Sequence, residues 1–419
     1  MNLWWSIPDS VQYLLIALFA AGVAGQVTRG IDTLAWNPRR QGPWCVPPSG
    51  ATGRKWWSRM PIVGWWSLRG ESPWHGRGHW VRPVCIEIAI TVGAVALYHW
   101  ETTGNLLAFV PPTLLPVERQ MLGVFCLHAL LFALLTVATF IDWDEQTVPD
   151  EITFPGTVLG LLLAIVLPYA SLPVLEQAQP SSEVTIECLR LTSPLPWWDR
   201  LDGWLGWISG CAAILAWCWA LLPKTWTLRG GWRKAFGFLL ASISRSGWLR
   251  RISLLAFSGS VVVSLVWWRG GPSWHSLLSA LAGLVVGGGI IWSVRVIGSL
   301  FLREEAMGFG DVTLLGMIGV YLGWQASVVV FFVSPLIALT FAVLKWLFSG
   351  QRAIAYGPYL CLATLLLVLR WPEFWEHYTR PVLELLFQGW EVPLILAALG
   401  LLFGPLLWSV RTLRELLLD

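Results

Sequence analysis

The chain has 419 residues, 56% of them hydrophobic and 13% charged, with a mean hydropathy of +0.62 and a formal net charge of +3. A soluble domain carries about a quarter charged residues. Here the deficit runs along the whole chain, which excludes a soluble fold and also a lone N-terminal leader as its cause.

Eleven apolar runs approach the roughly 20 residues that cross a bilayer as a helix: about 11–28, 83–100, 120–141, 153–172, 203–222, 252–268, 276–299, 312–323, 325–347, 356–370 and 391–409. The runs at 312–323 and 356–370 are short, and the first is expected as a half-length or tilted helix. The expected fold is an all-α polytopic membrane protein with about 11 transmembrane helices. Of the 31 tryptophans, several sit near span ends (Trp4, Trp5, Trp100, Trp204, Trp267, Trp268, Trp390 and Trp408), as interfacial anchors do.

Between the first and second runs, residues 28–82 hold nine Lys/Arg against two acids, Asp32 and Glu71. Residues 223–251 hold seven Lys/Arg and no acid. Positive-inside topology accounts for both loops without nucleic-acid binding, and it places the N-terminus outside. One inner loop breaks the pattern: 142–152, "DWDEQTVPDEI", has five acids and no base. Segment 173–202 shows four prolines and scattered charges, and no fold of its own is expected there. The seven cysteines form no CxxC pair and give no disulfide framework.

This topology brings two distant carboxylates to the same side of the membrane. Asp142 ends the third span in "ATFIDWDEQTVPD", and Asp311 begins the eighth in "MGFGDVTLLG". Carboxylates at membrane depth face cavities, find partners or serve a function. Two together do not both ionise cheaply, so one is left as acid and one as base around a shared water, an arrangement suited to amide hydrolysis. Gly308 and Gly310 remove Cβ beside Asp311 and allow close approach of a second backbone. An Asp ahead of an apolar run is also a common helix cap. Asp144, Glu145 and Glu151 read as solvated loop charges, and Asp150, after Pro149, as either a cap or a part of the site.

These pieces, in this order, resemble the prepilin peptidases, or type IV leader peptidases, membrane aspartyl proteases of the GxGD type. "FIDWDEQTVPDEITFPG" (140–156) is similar to the family's first motif and "EEAMGFGDVTLLGMIGVYLGWQA" (304–326) to its second. "YGPYLCLA" (356–363) resembles the Gly-Pro segment near its C-terminus, and "RKWWSRMPIVGWWSLRG" (54–70) with "VRPVCIEI" (81–88) the segment entering the second span. The resemblance implies Asp142 and Asp311 as the catalytic pair, with Gly308, Gly310, Asp150, Gly357 and Pro358 in support. It implies cleavage of the basic leader of pilin-like or pseudopilin precursors at the cytoplasmic face of the bacterial inner membrane. It implies no cofactor for proteolysis, and S-adenosylmethionine where N-methylation is retained.

The sequence departs from that pattern in three ways. Thr313 stands where the family usually has Lys. Cys45 is the one cysteine of the N-terminal loop, so a four-thiolate zinc site cannot form, and His75 and His79 with Cys45 are a poor substitute. Finally, 168 residues lie between Asp142 and Asp311, more than the family's usual gap. The organisation expected is a first transmembrane helix (1–28), a basic cytoplasmic loop corresponding to the family's zinc and methylation region (29–82), and helices carrying the first Asp (83–172). An insertion follows (173–275), then the GxGD core (276–370), and a C-terminal loop with an extra helix (371–419). Two other functions fit the same carboxylates: a proton-coupled transporter, and an inactive scaffold of pilus assembly.

Overall fold

The computed structural model describes residues 2–39, 41–51, 53–107, 118–177, 184–222, 247–302, 307–349 and 355–388. The expected span 391–409 and most of the basic loop 223–251 lie outside them. The main helices are α1 (Asp9–Leu34), α2 (Val81–Thr102), α3 (Glu118–Glu145), α4 (Asp150–Val166), α5 (Trp204–Leu221), α6 (Trp248–Arg269), α7 (Pro272–Leu302), α8 (Phe309–Leu322), α9 (Trp324–Ser349), α10 (Gly357–Leu369) and α11 (Arg380–Gln388). All ten expected spans within the described residues are helical.

Seven of them, α1, α2, α3, α5, α6, α7 and α9, are long and apolar enough to cross a membrane. The other three fall short: α4, α8 and α10 have 17, 14 and 13 residues. At 1.5 Å per residue these reach about 26, 21 and 20 Å, less than the roughly 30 Å hydrocarbon layer.

For α8 the reason is packing. Every residue from Leu314 to Leu322 is buried, and a helix that is apolar and enclosed all round is a core element. Its neighbours approach through glycine. A Cβ on Gly283 of α7 would stand 1.9 Å from the Gly319 carbonyl oxygen, and one on Gly319 of α8 would stand 2.1 Å from that of Gly283. On another side, a Cβ on Gly156 of α4 would lie 2.3 Å from Met317 Sδ, and one on Gly160 would lie 2.7 Å from the Tyr321 ring. The Tyr321 hydroxyl donates to the Gly156 carbonyl at 2.9 Å. Backbones at this separation tolerate no side chain, the usual device of helix packing inside membranes. Gly323, at φ +88°, then turns the chain directly into α9.

α3 buries one stripe at alternating spacings of three and four: Met121, Val124, His128, Leu131, Leu135, Ala138 and Asp142, all 4% exposed or less. That is the seam of a helix packed lengthwise in a bundle, and Asp142 is its last member. At the far end of the bundle, segment 173–202 forms an antiparallel hairpin where no fold was expected. Its strands are β1 (Pro173–Gln177) and β2 (Val184–Cys188), and it is anchored by Trp371 Nε1 donating to the Pro173 carbonyl at 2.8 Å. β2 alternates apolar and polar residues over only five positions and β1 does not alternate at all, too weak a pattern to register against the prolines around them.

Candidate functional site

Three helix ends meet around the two aspartates. Asp142 comes from the last turn of α3, and Asp311 is the third residue of α8. Both are buried, at 4% and 8% exposure, and they lie within electrostatic reach of each other. Asp311 is not the N-cap of α8; Gly308 occupies that position, and its backbone interacts with the Asp311 carboxylate. An acid at this position favours the helix end whether or not it has chemistry to perform.

The third end is the start of α10. The Gly357 N–H donates to Asp142 Oδ2 at 3.0 Å, and a Cβ at Gly357 would stand 2.6 Å from the same oxygen. Pro358 follows at the second position of that helix, where its missing N–H is no loss. The Tyr356 hydroxyl, within electrostatic reach of Asp311, shares a short hydrogen bond with Ser334 Oγ of α9.

Val148, in the α3–α4 connection, joins these pieces. A Cβ at Gly310 would lie 2.9 Å from Val148 Cβ and 3.2 Å from its carbonyl oxygen, and one at Gly357 would lie 3.4 Å from Val148 Cγ2. The two motif glycines therefore seat one loop between the starts of α8 and α10. The loop is set by a non-glycine residue in the left-handed region, Gln146 at φ +56°, whose N–H donates to the Asp142 carbonyl at 2.8 Å.

Asp142, Asp311, Gly308, Gly310, Gly357 and Pro358 are thus brought together. Asp150 stands apart as the exposed first residue of α4, with Pro149 at the N-cap position and no side-chain cap bond. Thr313, at the usual lysine position, turns its hydroxyl back onto the Gly310 carbonyl at 3.0 Å. Asp144 is exposed and Glu145 partly so, as expected, but both are also paired. Arg82 grips Asp144 with two bonds of 3.0 and 2.8 Å, and Arg39 adds a contact at 3.2 Å. Glu145 accepts the backbone N–H groups of Trp36 and Asn37 at 2.7 and 2.9 Å.

The N-terminal loop is built around two buried acids. Glu71 pairs in bidentate fashion with Arg54, at 3.0 and 2.8 Å. Glu87, 1% exposed, accepts from Thr28 Oγ1 at 2.7 Å, Trp65 Nε1 at 3.0 Å and the Ile62 N–H. Among the described residues no three His, Cys, Asp or Glu side chains converge as a metal site, and Cys45, His75 and His79 do not fit zinc. Sequence reasoning missed Val148, Ser334 and a wholly buried pair, His128 with Glu101 at 2.6 Å. The 3–4 stripe of α3 was the one available signal, since it carries both His128 and Asp142.

The fold and the site define a multi-pass helical membrane protein that buries two aspartates together where three helix ends meet. Residues 129–180 and 249–343, which contain Asp142 and Asp311, match the model of the type IV leader peptidase family, and over these two blocks the chain is similar to that family. The break in the match, 181–248, contains α5, while α6 falls inside the second block from its second residue onward. Similar curated proteins are named prepilin leader peptidase/N-methyltransferase. That of Stutzerimonas stutzeri is 26% identical over 242 residues, 53% of this chain and 78% of its own. Those of Aeromonas salmonicida (strain A449) and Aeromonas hydrophila are 30% and 28% identical over 115 and 146 residues, 27% and 33% of this chain. The chain spans 38% and 50% of the length of these two. No solved structure matches.

Proposed function

We propose that the protein is an aspartyl endopeptidase of the bacterial inner membrane that removes the leader from prepilin-like or pseudopilin precursors at the cytoplasmic face, with Asp142 and Asp311 as the catalytic pair. The observation that carries this reading is the burial of both carboxylates at one site, with the Gly357 N–H holding one oxygen of Asp142. The relatives' printed names supply the substrate class.

The dyad shares one proton. The ionised carboxylate takes a proton from water as the water oxygen attacks the scissile carbonyl carbon, and the protonated partner gives its proton to the carbonyl oxygen. Collapse of the tetrahedral adduct breaks the C–N bond. The proton taken from water passes to the leaving nitrogen, while the carbonyl's proton returns to the dyad. The Gly357 N–H on Asp142 Oδ2 fixes the orientation of that carboxylate. Helix-borne carboxylates and a backbone donor provide a rigid frame for this exchange.

The N-methyltransferase half of the relatives' names comes to this chain as a separate activity, motivated by the buried Glu87 hub of the N-terminal loop. Its test is transfer of a labelled methyl group from S-adenosylmethionine to the cleaved product. For the peptidase, the test is coexpression with a precursor carrying a short basic leader and a hydrophobic helix. Wild type is expected to shorten it, and Asp142→Asn and Asp311→Asn each to leave it intact. Continued processing by both variants would overturn the assignment. Proton-coupled uptake in proteoliposomes without cleavage would replace it with the transporter reading.

A further inference from the structure

Two of the five acids of the inner loop, Asp144 and Glu145, have a structural use beside the dyad. Arg82, the second residue of α2, reaches across to the end of α3 and holds it on two sides of Asp142. Its guanidinium meets Asp144 through two nearly parallel bonds of 3.0 and 2.8 Å. The same group lies 5.0 Å from the centre of the Phe140 ring and 3.5 Å from the Phe140 carbonyl oxygen. Phe140 and Asp144 are the residues two before and two after Asp142.

On a helix, positions two apart lie on opposite faces. Arg82 therefore grips the side of α3 away from the dyad and cannot reach the Asp142 carboxylate from there. The N-terminal loop reinforces the grip: Arg39 contacts Asp144 at 3.2 Å, and the Trp36 and Asn37 N–H groups sit on Glu145. Cations and donors at a helix C-terminus also oppose its partial negative charge. The final turn they steady is the one closed by the Gln146 N–H on the Asp142 carbonyl at 2.8 Å.

We propose that Arg82 is a positioning residue: through its fork on Asp144 it fixes the last turn of α3, so that Asp142 meets the Gly357 N–H. This rests on the peptidase reading for its kinetic consequence, and on the fold alone for its structural one. The N-terminal loop is then a brace for the first aspartate as well as whatever else it does.

Two measurements on the full-length protein in detergent micelles test this. In the first, Arg82→Ala is expected to speed amide hydrogen exchange at 143–146, with α8 unchanged as the control for folding. In the second, cleavage kinetics with a purified precursor are expected to show kcat lower by about ten- to a hundredfold and KM within about threefold, the signature of a displaced group and not of lost substrate contact. Arg82→Lys keeps the charge but loses the fork, and is expected to fall between wild type and alanine. Asp144→Ala should act in the same direction as Arg82→Ala, and the double variant should fall well short of the product of the single effects, because both remove the shared fork while Arg39 and Phe140 add only their own smaller contacts. Unchanged exchange at 143–146, a rise in KM at constant kcat, or single effects that multiply would overturn the proposal. If Asp142→Asn still cleaves, the peptidase reading fails, and the exchange result alone decides the brace.

Discussion

Replacing Gly357 with alanine would put a methyl carbon 2.6 Å from Asp142 Oδ2, 3.2 Å from its Cγ and 3.4 Å from Val148 Cγ2. Ordinary contact needs about 3.5 Å, so the carboxylate must retreat by about 1 Å. The backbone is no obstacle, since Gly357 is not among the glycines at positive φ. Alanine in place of glycine favours a helix by up to about 1 kcal/mol, which offsets part of the roughly 1–3 kcal/mol cost of crowding. The variant should therefore fold. A misplacement of about 1 Å costs roughly a hundredfold in rate, or about 2.7 kcal/mol of barrier. The assay is the rate of precursor shortening by purified protein in micelles, with thermal unfolding measured alongside. Gly289→Ala is the control, since a Cβ there meets nothing within 4 Å, and it should cleave as wild type does. Turnover by Gly357→Ala within about threefold of wild type, at unchanged stability, would refute the idea that this glycine holds Asp142 in register.

Further expectations concern the frame. Gly319→Ala drives a methyl group to 2.1 Å from the Gly283 carbonyl oxygen and should lower the unfolding temperature through a loss of about 3 kcal/mol or more, measured by thermal scanning in micelles. Glu101→Ala strands a fully buried histidine and should destabilise by about 3–5 kcal/mol, whereas Glu101→Leu combined with His128→Leu should recover most of that loss; unfolding midpoints of the two variants decide it. On the hairpin, burial first and then the neighbouring Glu187 charge raise Glu176 above the usual carboxylate range. A raised carboxyl contributes stability while protonated and loses it as pH rises from the unfolded value through the folded one. Glu176→Gln should therefore flatten the fall in unfolding temperature above about pH 4.5, the reference value of the unfolded chain.

The helices were legible because apolar length is a strong signal, and so were the ends that carry the two aspartates. What the sequence withheld was mostly pairing. Nothing in "VRPVCIEI" announces that Arg82 will meet Asp144, 62 positions away, because such a contact depends on how α2 and α3 lie side by side. The pairing of the solvated Asp144 and Glu145 stayed hidden for the same reason. The shortness of α8 was visible, but its cause was not: the glycines opposing it come from α4 and α7, both earlier in the chain, and α4 is separated from it by more than 140 residues. His128 could have been found, since it sits on the 3–4 stripe that ends at Asp142, and a histidine within that stripe had to be buried.

α8 has a consequence for where the site can work. From Leu314 to Leu322 its surroundings are protein, so its depth is registered by neighbouring backbones and not by the acyl chains outside. The helices that meet the lipid, such as α6 and α9, can tilt to suit a thinner or thicker bilayer. Asp311 rides on the part of the bundle that need not follow.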